Sequence, residues 1–207
     1  TTADRATAIK TYLAIAFDKA ISHNSNACWW DGGRFKVVNI FSKHGFAMKW
    51  SFAEYDAARS LFPWSVEQIA DAYAGIAHLA STPKTLWNEV STPPIERLRV
   101  TQGSATSIAA SKRHSVHHIC VDPPYYNNVM YAELSDFYIV WLRRLLAAEF
   151  PEFWPEPLSN KDEEATANAA RFADRGRKKT ELAKSDYERK MSQCFSEMCE
   201  VLHPNGT

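Results

Sequence analysis

The sequence predicts an α/β protein in which helices flank a mostly parallel sheet. Three observations carry this prediction. Four segments repeat apolar residues at intervals of three and four, which is the helical period. Short runs rich in β-branched or alternating apolar residues lie between them, and polar or proline-containing turns separate the two kinds. This alternation is typical of sheets whose strands are connected through helices, and such sheets bind ligands where the strands' carboxyl ends open into loops.

The four helices are predicted from apolar stripes and end signals. The first is expected from about Asp4 to Ser22. Ser65, followed three residues later by Gln68, is typical of a capping box and predicts the start of the second helix. The third is expected over residues 134–145 and the last over residues 185–202, each with an apolar face suited to packing.

The predicted strands are short. Val37 to Phe41 and the alternating stretch from Met48 to Phe52 are the first two, and residues 98–101 form a third. His118 to Val121 is a brief apolar run that would form a strand before a proline-containing loop. A turn at residues 203–206 is expected to lead into another strand.

Composition limits the class of protein. The chain has 207 residues, 24 basic and 24 acidic side chains and seven tryptophans, which suits one folded domain and excludes a disordered chain. No apolar run approaches the roughly 20 residues that span a bilayer. The irregular spacing of the four cysteines predicts reduced thiols and a cytoplasmic location. No metal site is expected, because the histidines and cysteines lack ligand spacing.

The motif Asp122-Pro123-Pro124-Tyr125 lies between a predicted strand and the third predicted helix. Each proline fixes φ and supplies no N–H, so the loop is stiff and its carbonyl groups are free. A planar base with an exocyclic amino group suits this set. The carboxylate of Asp122 and the carbonyl of Pro123 would each accept one N–H, while Tyr125 stacks on the ring.

An amino group polarised in this way can attack an electrophilic methyl group. A flipped nucleobase is the expected substrate, since the amino group is unreachable inside a duplex. Tyr126, Asn127 and Asn128 follow the motif directly and are predicted to bind the substrate. A rigid turn after a buried strand is the alternative interpretation of the motif.

These residues resemble a known family. Val121 to Tyr125 resembles the catalytic motif of amino-group DNA methyltransferases that use S-adenosylmethionine. The longer stretch from Asp122 to Arg144 resembles the large adenine-specific DNA methylases of bacteria and archaea, often found beside phage-defence genes. Residues 23–57 and 201–206 are similar to the same family. The resemblance implies a partial Rossmann-like methyltransferase fold, S-adenosylmethionine as cofactor, and DNA with a flipped adenine as partner.

The resemblance also implies roles for individual residues. The four motif residues would be catalytic, and an aspartate at position 122 resembles the adenine-specific branch. Gly103 and Ser104, together with Asp122, would contact the cofactor.

The glycine-rich loop that holds the cofactor in this family is absent, since Gly32-Gly33 is the only glycine pair and follows a polar loop. We therefore expect residues 1–207 to be an internal part of a longer methylase, inactive alone, with the rest of that chain as a partner. Residues 151–184 contain three prolines and clusters of opposite charge, which predicts an inserted, mobile arm.

Three alternatives stay open. The methyl acceptor could be RNA or a protein glutamine, whose amide nitrogen suits the same motif. The chain could instead be a non-catalytic nucleic-acid-binding module, or it could scaffold the subunits of a defence complex.

Overall fold

A computed structural model describes residues 2–42, 45–46, 49–80, 99–108 and 113–207. Helices of all types occupy 53% of these residues. The chain divides into two compact units. The first consists of Thr1–Leu98 and Tyr131–Lys161, and the second of Arg99–Met130 and Asp162–Thr207.

The first unit is built mainly from three α-helices. They are α1 (Thr2–Ile21), α2 (Phe62–Ala80) and α3 (Tyr131–Leu146). A π-helical turn, Ala57–Leu61, leads into α2, and a 3₁₀ turn, Pro151–Phe153, follows α3.

Aromatic contacts join these helices. The ring of Phe17 in α1 stacks on Phe62 at 6.3 Å and meets Trp141 of α3 edge-on at 5.6 Å. Small residues Ala14, Ala16 and Ala20 are the buried positions of α1, which allows α2 and α3 to approach its backbone closely. The predicted helices 4–22 and 134–145 are thus confirmed as α1 and α3.

A small sheet completes the first unit. Strands β1 (Trp29–Asp31) and β2 (Lys36–Val38) pair antiparallel, with Trp29 opposite Val38. The Asp31 carboxylate accepts hydrogen bonds from the N–H groups of Gly33 and Arg34 and so closes the turn between the strands.

The second unit contains the long helix α4 (Lys179–Val201), preceded by 3₁₀ turns over Ala169–Lys178. Residues 116–119 run beside residues 202–207. The N–H of His203 donates to the Val116 carbonyl, and the pair Val116–Leu202 forms an isolated parallel bridge. The last predicted helix, 185–202, is confirmed and begins six residues earlier than expected.

The predicted mostly parallel sheet, and with it the partial Rossmann-like fold, is wrong. Among the described residues the sheet has two strands, and they are antiparallel. Residues 116–119 do run parallel to residues 202–207, but their pairing is too short to form strands, and the predicted strand at 118–121 is only partly included in it. Trp50 in the stretch 48–52 is 98% exposed and belongs to no strand. A strand needs a neighbour to satisfy its backbone groups along its length, and periodicity alone does not supply one.

Two predictions fall partly on positions outside the described residues, because Met48 and Leu98 begin two of the predicted strands. None of the helices in the described part of the chain combines the length and apolar character needed to cross a bilayer.

The predicted arm, residues 151–184, belongs to both units, because the division falls after Lys161. Its portion in the second unit includes the buried residues Thr166, Ala167 and Asn168. Whether the arm moves stays a prediction.

Candidate functional site

The loop from Asp122 to Asn128 has a tightly folded backbone. The N–H of Tyr126 donates to the Pro124 carbonyl at 3.0 Å, and the N–H of Asn128 donates to the Tyr125 carbonyl at 3.0 Å. Tyr126 takes a left-handed conformation with φ of 51°, which is uncommon for a residue with a side chain. Such a conformation persists where surrounding contacts hold it, and here Tyr187 and Ala167 contact Tyr126.

The carboxylate and the ring of the motif meet. The hydroxyl of Tyr125 donates to both carboxylate oxygens of Asp122, at 3.2 and 3.3 Å. Asp122 and Tyr125 are both exposed, the tyrosine by 54%. The two groups that were predicted to bind an amino group and to stack on its ring are therefore neighbours at the surface.

The two proline carbonyls differ in their partners. The Pro124 carbonyl accepts hydrogen bonds from Tyr126 and from the hydroxyl of Tyr187, the latter at 3.3 Å. No described residue donates to the Pro123 carbonyl. The oxygen that was predicted to accept the second N–H of the substrate is thus available to a ligand.

Helix α4 supports the loop through Tyr187. Besides its hydrogen bond to Pro124, the Tyr187 ring meets the ring of Tyr126 edge-on, with centroids 5.1 Å apart. Sequence reasoning assigned Tyr187 only to the apolar face of the last helix and missed its contact with the motif. No local signal reveals it, since 63 residues separate Tyr187 from Pro124.

A second support comes from the segment 166–168. The N–H of Ala167 donates to the Tyr126 carbonyl at 3.0 Å. The residues just before this segment are held by Lys190, which is 5% exposed and donates to the carbonyls of Asp162 and Glu164. Sequence reasoning did not identify Lys190, because a lysine within a helix is ordinarily a solvated residue.

Asp186 neutralises the buried lysine. Its carboxylate lies 2.8 Å from the Lys190 ammonium and also pairs with Arg171 and Arg189. Burial by itself would raise the pKa of Asp186. Hydrogen bonds from Lys190 and Arg189, with the positive charges of Lys190 and Arg171, outweigh burial and hold the pKa below its usual value. Asp186 is therefore ionised at neutral pH, and the network is one of paired charges.

An open groove of about 780 Å³ runs from Pro123 along one face of α4. Its lining repeats at helical intervals and is mainly apolar: Tyr187, Glu188, Met191, Ser192, Phe195, Ser196 and Cys199. The groove thus begins at Pro123, whose carbonyl accepts no hydrogen bond from any described residue.

The predicted cofactor residues Gly103 and Ser104 lie in a separate turn. The Ser104 carbonyl accepts from the N–H of Ser107, and its hydroxyl lies 2.8 Å from that of Thr106. Among the described residues, no hydrogen bond joins this turn to the Asp122–Tyr125 loop. A site shared by Gly103, Ser104 and the motif residues therefore stays a prediction.

The three predicted substrate residues differ in their surroundings. Tyr126 faces Tyr187, whereas Asn127 and Asn128 have exposed side chains directly after the motif. In the described part of the chain, no three His, Cys, Asp or Glu side chains are grouped so that they could hold a metal ion.

Comparisons of this chain with family models, with curated proteins and with solved structures found no match.

Proposed function

We propose that this protein takes part in S-adenosylmethionine-dependent methylation of the exocyclic amino group of adenine in DNA, and that Asp122–Tyr125 is its amino-acceptor loop. The observation that carries the proposal is the surface of this loop. Within four residues it presents the carboxylate of Asp122, the exposed phenol ring of Tyr125 and the carbonyl of Pro123, which accepts no hydrogen bond from any described residue.

The loop's groups match the needs of an amino group. Each N–H requires an acceptor, and the Asp122 carboxylate and Pro123 carbonyl supply two oxygens of different charge. The carboxylate bond is the stronger one, because hydrogen bonds to ionised acceptors are roughly twice as strong as neutral ones. Hydrogen bonds from both N–H groups to these oxygens would raise the electron density on the nitrogen and make it more nucleophilic toward a methyl donor.

In the structure the Asp122 carboxylate accepts a hydrogen bond from the Tyr125 hydroxyl. Substrate binding exchanges this bond for one from the amino group, and the freed ring is then available to stack on the base. Base–aromatic stacking contributes about 1–3 kcal/mol. The exchange is inexpensive, since both side chains are exposed and water can satisfy the displaced phenol.

The cofactor contacts expected of Gly103 and Ser104 stay a prediction. Both residues lie in an exposed turn, where the Ser104 hydroxyl lies 2.8 Å from that of Thr106. We therefore assign the described residues to the acceptor side of the reaction only and derive no step through S-adenosylmethionine.

The test is methyl transfer from S-adenosylmethionine to duplex DNA by protein expressed from the complete gene. We expect N6-methyladenine in the product and a loss of rate of at least about 100-fold in Asp122→Asn, which keeps the shape but removes the charged acceptor. Asp174→Asn is the matched control, because Asp174 is an exposed aspartate of the same unit outside the loop, and its ion pair is with its exposed neighbour Arg175.

Three results would contradict the proposal. The first is an unchanged rate in Asp122→Asn. The second is a methyl group found only in RNA or on a protein glutamine. The third is DNA binding that is insensitive to S-adenosylmethionine and yields no product, which favours a non-catalytic binding or scaffolding module.

A further inference from the structure

Positive charge is concentrated just before and at the start of α4. Five cationic residues fall within nine positions, namely Arg171, Arg175, Arg177, Lys178 and Lys179, and one acidic residue, Asp174, lies among them. The chain as a whole is neutral, so this concentration is a local feature and not a consequence of composition.

Two of the five cations have structural partners. Arg171 is largely buried and pairs with Asp162 and Asp186, each at 3.1 Å. Arg175 pairs with its neighbour Asp174 at 3.1 Å.

The other three cations form what we call the basic surface: Arg177, Lys178 and Lys179. All three are exposed, and none makes an ion pair with a residue that the structure describes. Glu181 is the one acidic residue in the first turn of α4. The basic surface therefore keeps a net positive charge in contact with solvent.

Helix α4 sets the distance from the basic surface to Tyr187, the residue of this helix that contacts the candidate loop. Tyr187 lies eight residues beyond Lys179, which is about 12 Å along the axis at 1.5 Å per residue. The hydroxyl of the same Tyr187 holds the Pro124 carbonyl. Phosphates of one DNA strand advance about 3.4 Å along the duplex axis per nucleotide, so 12 Å corresponds to roughly three or four base pairs.

We propose that Arg177, Lys178 and Lys179 bind the phosphates of duplex DNA three or four base pairs from the base held by the Asp122–Tyr125 loop. This inference rests on the proposed function, since the loop defines where the target base lies. Phosphate contacts of this kind position the duplex without reading its sequence. An acidic protein could match the charge, but it gives no reason for the cations to lie at this distance from a base-binding loop.

The experiment measures the affinity for a fluorescent duplex between 50 and 200 mM salt, without cofactor, on protein expressed from the complete gene. The double variant Lys178→Gln/Lys179→Gln removes two phosphate contacts. We expect the slope of log K against log salt to become shallower by about 2, and affinity at 0.1 M salt to fall on the order of tenfold or more.

Matched variants separate phosphate binding from net charge and from folding. Arg113→Gln/Lys184→Gln removes the same charge from side chains of the same unit that already have partners, Glu200 and Glu188, and should change the slope by less than half as much. Lys178→Arg/Lys179→Arg keeps the charges and should keep the slope.

An unchanged slope in the Gln double variant overturns the inference, as does an equal change in the Arg113/Lys184 control. Wild-type protein that binds a polyglutamate peptide through these lysines, and not DNA, also overturns it. Failure of the proposed function is distinguishable. DNA binding through the lysines without N6-methyladenine formation rejects the methyl transfer alone, whereas methyl transfer with unchanged salt dependence rejects the basic surface alone.

Discussion

Replacing the buried Lys190 by methionine tests whether the loop depends on the charge network of Lys190 and Asp186. The ammonium is bonded to two carbonyls, at 2.5 Å for Asp162 and 3.0 Å for Glu164, and to the Asp186 carboxylate at 2.8 Å. Methionine keeps the length and the helix propensity of lysine but makes none of these bonds.

The size of the effect follows from what is left behind. Removing one partner of a buried ion pair typically costs 3–5 kcal/mol. Asp186 keeps Arg171 and Arg189, so its charge is still compensated after the substitution. We therefore expect the lower end of the range, about 3 kcal/mol, with most of the loss arising from the two orphaned carbonyls.

Amide hydrogen exchange of residues 164–168 is the suitable assay, because it reports on the segment itself. A loss of about 3 kcal/mol accelerates exchange of these amides roughly 150-fold if they open with the network. The Ala167 amide is the most informative, since it donates to the Tyr126 carbonyl of the candidate site.

The matched control is Lys184→Met, on the same helix. Lys184 is exposed and pairs with Glu188 only at 3.7 Å, so the loss should stay within about 0.5 kcal/mol. The reasoning is refuted if Lys190→Met accelerates exchange no more than Lys184→Met does.

Three further predictions concern other parts of the chain. Tyr187→Phe removes the hydroxyl bonded to the candidate loop and should lower the free energy of unfolding by about 1 kcal/mol in urea, with no change if the bond is absent in solution. Burial raises the pKa of Asp18 to about 7, so the folded state holds a proton that the unfolded state lacks between about pH 4 and 7. Stability should fall as pH rises through that window, and urea titrations of Asp18→Asn should show a flatter dependence; equal slopes would contradict this origin. A Cβ at Gly206 would lie 2.8 Å from the His117 carbonyl, so Gly206→Ala should lower the free energy of unfolding by about 1–3 kcal/mol. Hydrogen exchange should become faster for the amides that pair residues 116–119 with the C-terminal segment, and unaltered exchange there would contradict the prediction.

Local sequence pattern predicted most of the helix bounds correctly, but not all of them. The stripes of α1 and α3 were predicted nearly to their ends, because an amphipathic helix satisfies its own backbone and needs a neighbour only for its apolar face. The start of α2 was predicted wrongly. Ser65 lies inside the helix, where its buried hydroxyl donates to the Leu61 carbonyl, and the helical path begins earlier, at a turn capped by Asp56. The same serine pattern serves either role, and only the packing of the first turns selects between them.

Part of the candidate site could likewise be predicted from the sequence, and part could not. The chemistry of Asp122–Tyr125 could be predicted from four adjacent residues, since the prolines and the residue types are local properties. Tyr187 and Lys190 could not, because each acts on residues that are distant in the sequence.

The sequence by itself thus determined the helical segments and the set of groups that the motif loop presents. Tertiary structure decided that the predicted strands do not assemble into a parallel sheet, that Tyr187 contacts the loop, and that Lys190, paired with Asp186, holds the carbonyls of Asp162 and Glu164. The physical reason is the range of the interactions. Helical bonds and proline geometry act within a few residues, whereas strand pairing and buried charge pairs require segments whose proximity no local pattern encodes.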